Sequence, residues 1–260
     1  MTIAPERSPW RWALAGAAAG LLFALVLFIP ASWLAARVAV ATDGHVLLSD
    51  ARGSLWNGTA NLQLTGGAGS TDGLALPTPV DWHIRPRWNG ITVELATACC
   101  TAQPLHIHAR PGLRGAAFDI ENSRSQWPAS LLAGLGTPWN TLQLDGDLAL
   151  STQDLSVEWV EGRLALAGRA ELQAQRMSSR VSTLRPMGSY RITVTGGATP
   201  NLQLDTLEGS LQLSGSGQWV GSRFHFNGVA TAAPDREDAL ANLLNIIGRR
   251  SGARSIITIG

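Results

Sequence analysis

From His45 to the end of the chain, apolar and polar residues alternate with a period of two. That period marks strands that bury one face and wet the other. Trp56, Gly58, Ala60, Leu62 and Leu64 fall on one side of such a segment, and Asn57, Thr59, Asn61 and Gln63 on the other. Trp56 is therefore predicted to lie on the buried face of a strand. The same contrast recurs in Leu142/Leu144, Leu164/Leu166, Tyr190/Ile192/Val194, Leu202/Leu204, Leu211/Leu213 and Phe224/Phe226. Turn-forming pairs punctuate the runs: Gly66-Gly67, Asp72-Gly73, Asn89-Gly90, Asp145-Gly146, Gly196-Gly197 and Asn227-Gly228. Asp145, Glu161 and Glu208 each open an acidic-Gly-x-Leu-x-Leu stretch, a glycine turn feeding a strand with two leucines on one side. One apolar face per strand predicts a large, twisted antiparallel sheet covering a single core.

Three segments break this rhythm. No charge occurs between Arg11 and Arg37. Those 25 residues, run as a helix, extend ~37 Å at ~1.5 Å per residue, enough to cross a bilayer. The pattern predicts a transmembrane helix over residues 12–37. Its anchor residues are Trp12, Leu21, Leu22, Phe23, Leu25, Val26, Leu27, Phe28, Ile29 and Trp33, the tryptophans standing near the membrane interfaces. A cleaved signal peptide fits less well. Its apolar run is shorter, and the one good cleavage motif, Ala39-Val40-Ala41, lies too far beyond Ile29. Residues 1–11 are then a cytoplasmic tail and residues 45–260 a periplasmic β-rich domain. The arginine count on the two sides is nearly even, so this orientation rests on a short tail preceding a large domain.

The second break is a short middle helix begun by Trp127-Pro128, with Leu131, Leu132 and Leu135 on a stripe and Gly136 ending it. The third is a C-terminal amphipathic helix. Asp235 is its expected cap, and Leu240, Leu243, Leu244 and Ile247 recur at helical spacing. Gly248 fits the position just past its end, and residues 255–259 read as a last strand. The leucine stripe is expected to pack on the sheet, while Arg249 and Arg250 just beyond it are candidates for contact with a partner.

Composition narrows the chemistry. The net charge is +1, and charged residues make up 15% of the chain, so no basic surface for nucleic acid is indicated. All twenty basic residues are arginine, which removes Schiff-base chemistry and the lysine of a phosphate-binding loop. Neither a nucleophile elbow nor a zinc-protease His-Glu-x-x-His is present. Cys99-Cys100 with His106 and His108 is the one reactive cluster. Adjacent cysteines point to opposite faces of a strand, which disfavours a shared tetrahedral metal ion. In an oxidising compartment the pair forms either a disulfide or two small buried residues. No enzyme, cofactor or metal is indicated.

Two stretches carry a family resemblance. Gly53-Ser54-Leu55-Trp56-Asn57-Gly58 resembles the opening motif of type II secretion system protein N. Leu243-Leu244-Asn245-Ile246-Ile247-Gly248-Arg249-Arg250, continuing through Ser255-Ile256-Ile257-Thr258-Ile259-Gly260, is similar to that family's ending. The resemblance implies a non-enzymatic accessory component of the bacterial inner membrane. Its partners would be membrane lipid and other inner-membrane components of the machine that exports folded proteins. The one-sided strands are also similar to AsmA-like proteins, which implies as the alternative a membrane-anchored lipid-binding or lipid-transfer module. An open apolar groove would favour that alternative, and a closed core would favour the scaffold.

Overall fold

The computed structural model describes residues 10–260 apart from 71–72, 113–114, 161–162 and 221–222. Nearly all of the expected cytoplasmic tail, Asp72, and Glu161 with Gly162 lie outside the described residues. Two helices open the fold, α1 (Trp10–Leu27) and α2 (Ala31–Ala41). The strands are β1 (Val46–Gly53), β2 (Asn57–Thr65), β3 (Gly73–Ala75), β4 (Val80–Arg87), β5 (Gly90–Thr97), β6 (Leu105–Gly112), β7 (Gly115–Ile120) and β8 (Ser123–Pro128), then β9 (Asp145–Val160), β10 (Arg163–Ser178), β11 (Gly188–Gly197), β12 (Asn201–Gly209), β13 (Leu211–Val220), β14 (Arg223–Ala232), β15 (Arg249–Ser251) and β16 (Arg254–Ile259). A 3-10 helix (Ala129–Leu135) and α3 (Trp139–Leu142) follow β8, and α4 (Glu237–Ile247) follows β14.

All sixteen strands belong to one sheet, and every pairing is antiparallel. The order is close to a meander, with sequence neighbours side by side from β4 to β7 and again from β9 to β14. The chain thus builds the expected large antiparallel sheet, mainly β. One face is apolar across many strands. Leu150, Leu172, Ile192 and Leu204 lie in a single cross-strand row over β9–β12. That row continues through Gly215 and Gly228 to Ile257. The opposite face is polar, as in the row Gln173, Arg191, Asp205 and Ser214.

Helices and loops cover the apolar face in patches. In the largest, Leu240, Leu243 and Leu244 of α4 are 0–2% exposed against Leu148, Met177, Met187 and Tyr190. Burying each leucine stabilises the fold by about 1.5–3 kcal/mol. Leu131, from the 3-10 helix, packs with Leu76, Val80 and Cys100 in a second cluster. Ala31 of α2 meets Ala60 and Trp82 in a third.

Several expectations need correction. Residues 12–37 do not form one helix, because α1 stops at Leu27 and α2 starts after Pro30. Proline lacks an N–H, and its ring clashes with the carbonyl four residues back. Asn227-Gly228 is not a turn but the middle of β14, where a Cβ on Gly228 would come within 2.8 Å of the Phe226 ring. Leu142 belongs to α3 rather than to a strand. Asp235 does not cap α4. It sits in the turn before the helix with φ +63°, Arg236 holds the cap position, and no side chain caps it. Glu237 and Asp238 instead offset the helix dipole from the first turn. At the other end, buried Ser255 donates its hydroxyl to the Leu244 carbonyl at 2.7 Å, tying α4 to β16.

Candidate functional site at the helix–sheet junction

Pro30 leaves the Val26 carbonyl without its helical donor. The turn between β1 and β2 fills that gap. The Trp56 indole Nε1–H donates to the Val26 carbonyl at 2.9 Å, and the Leu55 N–H donates to the Ile29 carbonyl at 2.8 Å. Pro30 and Ser54 form an antiparallel bridge between them. The clasp is itself held from the sheet side. Buried Trp82 donates its Nε1–H to the Leu55 carbonyl at 3.0 Å, and the Ile84 N–H donates to the Trp56 carbonyl at 2.7 Å.

Each residue of the Gly53–Gly58 stretch has a physical task. Gly53 turns the chain with φ +90°, where a Cβ would approach the Asn57 carbonyl oxygen to 2.5 Å. Ser54 accepts the Asn57 N–H on its hydroxyl at 3.2 Å. Gly58 makes room for Trp82, whose ring a Cβ would meet at 2.3 Å. Trp56 therefore sits in the turn, half-buried, and not on the buried strand face that alternation assigned to it. The buried tryptophan of this region is Trp82, 2% exposed.

The clasped helices have very different surroundings. Among the described residues of α1 none is buried, and Trp12, Phe23 and Leu25 are all more than half exposed. Leu21, Leu22, Val26, Leu27, Phe28 and Trp33 are exposed as well, while Ile29 is half-buried. No helix among the described residues is long and apolar enough to cross a membrane. Helix α2 lays Ala31 and Leu34 on the sheet and turns Trp33 and Val40 outward. The Arg37 guanidinium stacks 5.0 Å from the Trp33 ring centroid, a cation–π contact.

Elsewhere the structure separates the candidates that the sequence grouped. Cys99 and Cys100 are bonded to each other. They line a polar cleft of 670 Å³ that also includes Arg124, Gln126, Glu171 and Gln173. Glu171 accepts from Gln173 at 2.7 Å and pairs with Arg169 at 3.0 Å and Arg191 at 3.2 Å. The Gln173 hydrogen bond, with help from the two arginines, holds the Glu171 carboxyl below the usual carboxylate range despite partial burial. His108 is engaged by Thr92 and Glu121, both at 3.0 Å. Among the described residues, no group of three or more His, Cys, Asp or Glu could hold a metal ion. Arg249 and Arg250 are exposed on β15, which hairpins with β16. Of the clasp partners, the sequence picks out Val26 and Ile29 only as membrane-anchor residues and Trp82 not at all, because nothing in a two- or 3.6-residue period marks a contact between a helix end and a distant turn.

The family model for type II secretion system (T2SS), protein N matches residues 44–257, from just before β1 into β16. No curated protein and no solved structure matches the chain.

Proposed function

Because the chain belongs to the type II secretion system protein N family, we propose that it serves the machine as a non-enzymatic accessory component anchored in the inner membrane. In this reading the sheet stands in the periplasm and works through protein–protein contact. The observation that carries it is the apolar helix α1, exposed on all sides yet hydrogen-bonded at its end to the family's Gly53–Gly58 stretch. An apolar surface of that kind needs lipid or partner helices to cover it. Because α1 by itself is not long and apolar enough, the proposed span adds Phe28 and Ile29, giving twenty residues with the charged Arg11 near its N-terminal end. At ~1.5 Å per residue that is ~30 Å, the thickness of a hydrocarbon core. Arg249 and Arg250 remain the proposed contact with another secretion component. A photo-crosslinker placed at Arg250 in intact cells, after carbonate washing of the membranes, tests both parts. Attachment to another inner-membrane secretion protein is expected. Release of the chain by carbonate would remove the anchor, and a crosslink only to unrelated abundant proteins would remove the scaffold.

One observation favours a second reading, a lipid-binding module. The apolar face is not sealed along its whole length, and Ile91 of β5, Phe118 of β7 and Trp159 of β9 are 38–50% exposed on it. Phospholipid retained by the detergent-purified chain through extensive washing would support this reading. Loss of all lipid, with the fold intact, would exclude it.

A further inference from the structure

The most exposed large apolar side chain among the described residues is Trp88, at 108% relative accessibility. It stands at the tip of the β4–β5 hairpin, closed by the Arg87–Gly90 pair. The tip is amphiphilic in a particular way. Pro86 pairs with Ile91 on the apolar face of the sheet, and Arg85 pairs with Thr92 on the polar face. Arg85 and Arg87 are exposed and have no ion-pair partner among the described residues. Arg87 is steadied by a hydrogen bond from its Nε to the Thr92 hydroxyl at 3.0 Å.

The position of this tip follows from the clasp. Ile84 donates to the Trp56 carbonyl, so Ile84 lies level with the turn that holds the end of α1. Trp88 is four residues further along the strand direction, ~13 Å at ~3.3 Å per residue. The Val26 and Ile29 carbonyls, which point toward the C-terminal end of α1, face that turn, so the body of the helix lies beyond it. Helix and hairpin therefore project from the same end of the sheet.

We propose that the β4–β5 hairpin tip is a second membrane contact, in which Trp88 enters the lipid interface and Arg85 and Arg87 bind the headgroups of anionic phospholipid. The proposal rests on the reading of α1 as a membrane anchor. The headgroup layer of one leaflet is roughly 5–8 Å deep. A reach of ~13 Å enters that layer even when the strands lean ~60° from the membrane normal. Indole favours this depth, and each arginine near an anionic surface adds attraction. Trp88 and the Arg37–Trp33 stack on α2 would then flank the anchor. Two further contacts beside one helix would fix the tilt of the sheet on the membrane.

The full-length chain, reconstituted into vesicles, tests this. An environment-sensitive fluorophore is placed on a cysteine at Trp88→Cys, Phe23→Cys or Gln212→Cys, the two native cysteines being paired with each other. Nitroxide-labelled lipid serves as quencher. The probe at 23 reports the anchor, and the probe at 212, exposed at the opposite end of the sheet, reports free solvent. In vesicles containing phosphatidylglycerol, position 88 should be quenched by headgroup-level nitroxide at least twofold more than in pure phosphatidylcholine. Arg85→Glu with Arg87→Glu should bring it down to the level of position 212. If position 88 stays as wet as 212 while position 23 is buried, the second contact is wrong and the anchor stands. If position 23 is also wet, the anchor reading fails and this proposal with it. Quenching at 88 that ignores lipid charge and the arginine changes would overturn the assignment to an anionic surface. Trp88 touches no core, so unchanged thermal melting is expected of the labelled chain.

Discussion

Single side chains decide how the junction and the polar cleft hold together. Gly58→Ala would push a methyl group into the Trp82 ring, 2.3 Å away and fixed by its own hydrogen bond. We expect a loss of roughly 1–3 kcal/mol, read as an earlier midpoint in urea unfolding. An unchanged midpoint would mean that Trp82 has room to retreat. Glu171→Gln probes the cleft. The carboxyl is held below its unfolded value, so its contribution to stability is present above ~4.3 and fades as pH falls through the lowered folded value. The variant should melt below the parent at neutral pH, and the two curves should converge as the solution is acidified. A gap that persists in acid would point to packing instead of charge. Residue roles at this scale were the least legible in the sequence. Alternation placed Trp56 on a buried face because it shares the parity of Leu62 and Leu64. But Gly53, at φ +90°, ends the preceding strand, and Trp56 falls in the turn. Glu171 gains its role from Gln173, two residues on, and from Arg191 on the next strand. No sequence spacing announces that pairing.

Elements were far easier to read than roles. The stripe Leu240, Leu243, Leu244 and Ile247 was visible as a helix face, and α4 packs that face on the sheet. The middle leucines likewise form a short 3-10 helix of seven residues ended by Gly136 at φ +78°. Two errors share one cause. The uniformly apolar residues around Pro30 predict an unbroken helix, and Asn227-Gly228 is a pair that usually makes a turn. In both places a local rule met a non-local one: the clasp that rewards a broken helix, and the Phe226 ring that needs a bare backbone beside it. The element-scale test is a pair of variants. Leu244→Asp buries a charge at a site 1% exposed and should unfold the domain. Arg249→Ala with Arg250→Ala alters exposed residues of β15 and should leave the melting temperature within a degree or two while lowering secretion. A folded Leu244→Asp chain that has lost a crosslinked partner would turn the stripe into an interface.

At the scale of the whole molecule, the sheet has a strong middle and guarded ends. β9 and β10 run side by side for sixteen residues each, and β9 is held on its other side by β8 over one half and β7 over the other. The edge strand β1 carries Asp50 and Arg52 at a bulge, a feature that discourages pairing with foreign strands. Hydrogen exchange should therefore be slowest in β9–β11 and fastest in the terminal strands β1 and β15. Uniform protection across the sheet would contradict this ranking. Alternation along the chain foretold that there would be one large antiparallel sheet, since each strand carried its own apolar side. It could not foretell that β8 and β7 would divide β9 between them, because either would satisfy the same pattern. The near-meander order has a consequence in time. Nearly every strand from β4 onward finds its first partner in a strand already made, a few residues upstream. A chain delivered N-terminus first can lay down such a sheet hairpin by hairpin, without holding strands open for distant mates. The leucines of α4 are synthesised after β14 but before β15 and β16, so the helix can dock on the sheet before its last two strands are added.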